Sequence, residues 1–182
     1  AIKEAVPYAL GDNYFGYRIV GTTNQLFENS ENRKGYELSL TPGSRLFDNM
    51  RQEAVVGSFV AQKTGLKLGD IIHPYHGLSF DPGTKHEEEY VVVGIMEPSN
   101  SPVDRVIFIP IEGVFRMGGH VLRGTGEDYT PEQGKEIPNE HKEVSAILLK
   151  LKNPQSGFFL DQTINKQGKV ATMAWPIAMV MA

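Results

Sequence analysis

The stretch "EAVVGSFVAQKTGLKLGD", residues 53–70, decides how this chain is read. Ala54, Val55, Phe59 and Val60 recur at helical spacings, which predicts a helix over residues 49–64. Gly65 stands where a left-handed C-terminal cap is needed. Gly69-Asp70 then turns the chain into an apolar pair. The stretch looks like the approach to an active site, yet no catalytic pattern completes it. A nucleophile elbow, G-x-S-x-G, needs glycine two residues after the serine, and Val60 stands there after Ser58. No G-x-G-x-x-G pattern occurs, so no dinucleotide site is expected.

Outward from this stretch, the chain alternates strand signals with turns. "YFGYRIVGTT" (14–23) and "GYELSLTPGS" (35–44) read as strands, the second closed by Pro42-Gly43. "LGDIIHPY" is a strand interrupted by Pro74. "EYVVVGIM" (89–96) is β-branched and almost wholly apolar, which predicts a strand buried on both faces. "RVIFIPIEG" (105–113) is another strand, and its Pro110 suggests a strand end or a sheet edge. Residues 118–143 are rich in Gly, Glu and Pro and read as a long loop or hairpin. "VSAILLKLKN" (144–153) is a strand, "PQSGFFLDQTINKQG" (154–168) a helix closed near Gly168, and "KVATMAW" (169–175) a last strand. Strand, helix, strand at the C-terminal end suggests a small α/β unit.

The 182 residues suit one domain or two small intertwined subdomains, and 40% hydrophobic content is enough for a packed core. A net charge of -4 with scattered Lys and Arg argues against a nucleic-acid partner. Without cysteine there are no disulfides, thiolate metal sites or cysteine nucleophiles. No window reaches about 18 consecutive apolar residues, so no membrane span is expected within the chain. The beginning "AIKEAVPYALGDN" and the apolar ending "WPIAMVMA" lead us to expect flanking segments. Trp175, Met173, Met179 and Met181 read as core or as a membrane-proximal end.

Among candidate chemical residues the five histidines come first: His73, His76, His86, His120 and His141. "HPYH" has i, i+3 spacing and "KHEEE" sets carboxylates beside His86. Zinc accepts imidazole nitrogen together with carboxylate oxygen, so such residues suit a metal. Pro74 splits the first pair, which cannot be assumed to share a helical face. His73 and His141 read as ordinary exposed histidines. Asp12, Asp48, Asp70, Asp81 and Asp104 lie in loop-like contexts where Asp usually caps turns. Asp104 and Arg105 are expected to pair and fix the "SPVDR" turn.

The order of segments carries more than any one residue. "EAVVGSFVAQKTGLKLGD", then "YVVVGIMEPSNSPVDRVIFIPIEG", then "KEVSAILLKLKN" resembles the MacB-like periplasmic core domain of ABC-transporter permeases of the MacB, LolE and FtsX-like class. The likeness extends back through "PYALGDNYFGYRIVGT" and forward to "MAWPI". It implies an α+β fold of two subdomains: a membrane-proximal α/β unit (1–45 and 141–182) with a mainly β subdomain (46–140) inserted into it. It also implies a non-enzymatic domain in the periplasm, anchored in a bacterial inner membrane. Such a domain couples ATP hydrolysis in a cytoplasmic ATP-binding subunit to substrate export, lipoprotein handling or transenvelope signalling. A second permease copy, forming a dimer, and a periplasmic adaptor or lipoprotein are the implied further partners. Within this class the resemblance singles out His76 (followed by Gly77), His86 and His120 as metal residues. Glu87, Glu88 or Glu89 is the candidate fourth ligand, and zinc the possible cofactor. The alternative reading is an extracytoplasmic zinc-binding module built on that histidine cluster.

Overall fold

The computed structural model describes residues 2–28, 38–117, 129–168 and 171–174. It is an α+β structure with a mixed sheet of eight strands and three helices. The strands are β1 (Ile2–Tyr14), β2 (Tyr17–Thr22), β3 (Glu53–Val56), β4 (Ile71–Ile72), β5 (Tyr75–His76), β6 (Tyr90–Ile95), β7 (Val106–Pro110) and β8 (Ala146–Leu151). The helices are α1 (Ser58–Thr64), α2 (Ile111–Arg116) and α3 (Pro154–Asp161). The chain divides into two compact units, residues 1–5 with 148–182, and residues 6–147.

The strands run in the order β4-β6-β3-β7-β2-β1-β5, and β8 pairs β1 off this path. β2 and β7 are parallel, as are β3 and β6, while β1–β2, β3–β7, β1–β5 and β4–β6 are antiparallel. Alternation along the strands feeds two cores. Ala9, Ile19, Val56, Tyr90 and Ile107 pack with Val60 of α1 and Val114 of α2. Val20, Val55 and Phe108 pack with Leu26, Phe27 and Phe47 from the connection between β2 and β3.

This two-sided covering explains where the sequence reading of residues 49–64 goes wrong. Residues 53–56 are strand, and helix begins at Ser58. The three-residue apolar run Ala54–Val56 fits either period. Its place between β6 and β7, with Ala54, Val55 and Val56 fully buried, fixes it as a central strand. Gly65 does cap α1, with φ 73°. The chain then turns at Gly69-Asp70, where the Lys67 backbone N–H donates to the Asp70 carboxylate at 2.8 Å. Pro74 does split the next strand, into β4 and β5.

β6 is less enclosed than its composition suggests. Val91 is exposed because it pairs Ile71 of the two-residue edge strand β4, itself exposed. Pro110 ends β7 and precedes α2, but β7 is central in the sheet. β1 carries Pro7 and Gly11 and gives no strand signal, yet runs for 13 residues because β2, β5 and β8 all pair with it. Residues 171–174 form no strand, contrary to the expectation for "KVATMAW". Residues 169, 170 and 175, the histidine at 120, and Met179 and Met181 lie outside the described residues. The Asp104 carboxylate holds its turn by accepting from the Ser99 and Asn100 backbone N–H groups at 2.8 and 2.9 Å. The Arg105 guanidinium lies 4.1 Å over the Phe59 ring instead of serving that turn. No helix of the described residues is long and apolar enough to cross a membrane.

In the second unit, Asn153 caps α3 by accepting from the Ser156 backbone N–H at 2.9 Å. The helix continues as a π-helical turn through Gln162–Gln167 to Gly168.

Two residues of the deciding stretch yield predictions. A Cβ at Gly57 would lie 2.5 and 2.6 Å from the backbone oxygens of Asp104 and Val103. Gly57→Ala must therefore push α1 off the turn below it, and a loss of about 1–3 kcal/mol is expected in urea unfolding. Glu53, buried, accepts two hydrogen bonds from the Arg45 guanidinium at 2.6 and 2.8 Å and one from the Asp48 backbone N–H at 2.9 Å. The Arg45 bond is the main cause that holds its carboxyl down to about 2, from an ordinary 4.5. A depressed carboxyl stabilises the fold above the unfolded value and loses that contribution as pH falls toward the folded one. Between pH 4.5 and 2, the urea midpoint should fall more steeply in the natural protein than in Glu53→Gln. Parallel slopes would show that the pair contributes nothing to acid stability.

Candidate metal centre

The candidate site is built on β1, β5 and the loop that follows β5. β1 does not keep a plain alternation. Ala9 opposes Gly21 and Leu10 opposes Val20, but Asp12 opposes Ile19, so Gly11 is an extra residue, a β-bulge. Without the bulge Asp12 would share the face of Leu10, which is exposed. With it, Asp12 joins the face of Ala9 and Ile19 and is 1% exposed. In β5, His76 pairs directly across from Asp12, so their side chains stand on one face of the sheet.

The third member arrives through a closed turn. The Asp81 carboxylate accepts from the Gly83 backbone N–H at 2.8 Å, and the Thr84 hydroxyl donates to the carbonyls of Asp81 and His76 at 2.8 and 3.0 Å. Lys85 bridges Tyr75, and the His86 backbone N–H donates to the Pro74 carbonyl at 2.8 Å. This brings His86 back over β1, with Nε2 at 3.1 Å from Asp12 Oδ1. His76 Nδ1 lies 3.7 Å from the same oxygen, and the two imidazole centroids are 5.7 Å apart. Asp12, His76 and His86 each offer one ligand atom, all within 4.8 Å of one another, a group that could hold a metal ion.

Two imidazole nitrogens and one carboxylate oxygen form a donor set for a divalent transition ion. Burial grades across the group: Asp12 is enclosed, the His86 side chain is nearly so, and the His76 side chain is 49% exposed. The site thus opens to solvent on the His76 side. The hydrogen bond with Asp12 is the main cause that raises His86 above its ordinary value; burial works against it, and the charges of Asp12 and Glu88 add to the rise. A proton between His86 and Asp12 occupies the place that a metal would take.

Of the residues singled out in the sequence, His76 and His86 come together as expected, and His120 lies outside the described residues. Glu88 approaches His86 at 3.9 Å, but on Nδ1, the nitrogen turned away from Asp12, so it stands behind the ligand. Glu87 is exposed, and Glu89 lies 3.5 Å from His73 Nε2. His73 and His141 are not simply exposed: both are half-buried, and His141 stacks on Tyr129 at 4.2 Å between centroids. Asp12 was read as a turn cap in "GDN" and is instead the buried oxygen donor of the group. The one signal that could have found it is Gly11, a residue that favours a bulge within a strand. No protein-family model matches the chain, and comparison with curated proteins finds no match.

Proposed function

We propose that this chain is a non-enzymatic extracytoplasmic domain of an ABC-transporter permease of the MacB-like class, and that Asp12, His76 and His86 hold a zinc ion in it. The observation that carries the metal reading is the convergence of a buried carboxylate and two imidazoles from three separate segments onto one face of the sheet. Zinc takes imidazole and carboxylate ligands at about 2.0–2.2 Å without geometric demand from its filled d shell, so small shifts of His76 and His86 suffice to close around it. The permease reading is supported by the ordered run of motifs, whose residues serve geometry: Gly57 admits the 103–104 backbone and Gly65 caps α1. In this reading the domain lies in the periplasm and works as a pair of copies. Movement comes from a cytoplasmic ATP-binding subunit and passes on to an adaptor, lipoprotein or exported substrate.

The metal reading is tested by calorimetric zinc titration of the metal-stripped protein at neutral pH. Binding at about micromolar Kd or tighter is expected, which corresponds to roughly 8 kcal/mol. Asp12→Ala, His76→Ala and His86→Ala should each weaken it at least about tenfold. An absence of heat, or affinity untouched in all three variants, overturns it. The permease reading is tested separately, on the full gene product solubilised from membranes. It should purify with an ATP-binding subunit, and recovery without one from the soluble fraction overturns that reading.

A further inference from the structure

Residues 73–89 connect β4 to β6 and carry β5, the strand of this span that pairs with β1. The span's anchors to β1 fall on a short piece of chain, residues 11–15. The Gly77 backbone N–H donates to the Gly11 carbonyl at 2.6 Å. The Asn13 side chain, fully buried, donates to the carbonyls of Tyr75, Gly77 and Ser79 at 3.3, 2.9 and 3.1 Å, while its own oxygen accepts from the Gly16 backbone N–H. Phe15, at the hairpin tip, packs its ring against Tyr75 and Phe80 at 5.4 and 4.9 Å between centroids. Beyond Phe80, His86 reaches back to β1 through its contact with Asp12.

The two ends of the span are therefore held by different chemistry. Asn13 grips residues 75–79 with a neutral amide whose bonds do not depend on any ligand. Residues 81–89 are tied to residues 74–76 by the Thr84 hydroxyl, the Lys85–Tyr75 bridge and the His86 backbone N–H, whereas their tie to β1 runs through the His86 side chain and depends on what lies between its imidazole and Asp12. A metal ion there ties a loop to a strand with bonds stronger than one side-chain hydrogen bond, and metal binding is coupled to local order for this reason. We propose that residues 81–89 form a metal-responsive strap, fastened to β1 when Asp12, His76 and His86 share a metal and released when it leaves, while residues 75–79 stay in place. This rests on the metal reading above.

The test is amide hydrogen exchange followed by NMR on the metal-stripped protein, alone and with zinc at about ten times the Kd found by calorimetry. Gly83 and Thr84 report on the strap, since each donates its backbone N–H to Asp81 within it, and His86 reports on its closure, since its N–H donates to the Pro74 carbonyl. Gly77 reports on the part held by Asn13, and Val92, whose N–H donates to the Asp70 carbonyl, on the sheet. In the metal-free protein the strap amides should exchange faster than Gly77 and Val92. Zinc should slow them by about tenfold, the factor expected when a ligand binds only the closed form. Asn13→Ala should speed Gly77 exchange with or without zinc. The proposal is overturned if zinc binds by calorimetry yet leaves the strap amides unchanged. It is equally overturned if those amides already exchange at the Val92 rate without metal. If no zinc binds at all, the metal reading itself falls, and the strap with it.

Discussion

A carboxylate shut away from water in the middle of a β-strand must be answered by positive charge or by hydrogen-bond donors, because an unpaired buried charge costs several kcal/mol. Asp12 sets that demand here. Ala9, before the bulge, and Ile19, directly across the ladder, supply nothing polar. The answer has to come from outside the core, and it comes from His76 and His86, carried by β5 and the turn after it. The path of residues 73–89 is thus shaped around one oxygen pair. A proton and a metal ion are alternative ways of meeting the same electrostatic demand at that point.

The rest of the larger unit is built so that this point stays fixed. β1 is held by β2 on one edge and β5 on the other, and β2 lies beside the central strand β7. Both faces of β3 and β7 are covered, by α1 and α2 on one side and by the connection between β2 and β3 on the other. Close-packed interiors transmit displacement instead of absorbing it. A side chain on β1 is therefore aimed by the whole sheet, whereas the histidines sit on the more yielding margin.

What could be read from the sequence followed from how local its cause was. The cap at Gly65, the turn at Pro42-Gly43 and the break at Pro74 each depend on a residue or two of backbone preference, and each stands where the sequence places it. β3 reads as helix in the sequence because the three apolar residues 54–56 carry no period of their own; its neighbours β6 and β7 decide it. β1 gives no strand pattern because it is held by pairing with its hairpin neighbour β2 and with β5 and β8 far along the chain, against the preferences of Pro7 and Gly11. His76 and His86 were legible as a residue type fit for metal. Asp12 was not, because the bulge that turns it inward is a property of register between two strands, and register is absent from a single strand's pattern.

The two-residue strands at the ends of the ladder have a bearing on solubility. The path β4-β6-β3-β7-β2-β1-β5 finishes at both ends in a strand of only two residues, Ile71–Ile72 and Tyr75–His76. An open sheet invites further strands, and the usual protections are brevity and a covering segment at the margin. Here each terminal strand offers too few free backbone groups to template a neighbour, and at the β5 end the margin is also occupied by imidazoles. Brevity at these two ends limits strand addition there, and at the β5 end the same short strand presents His76 to solvent.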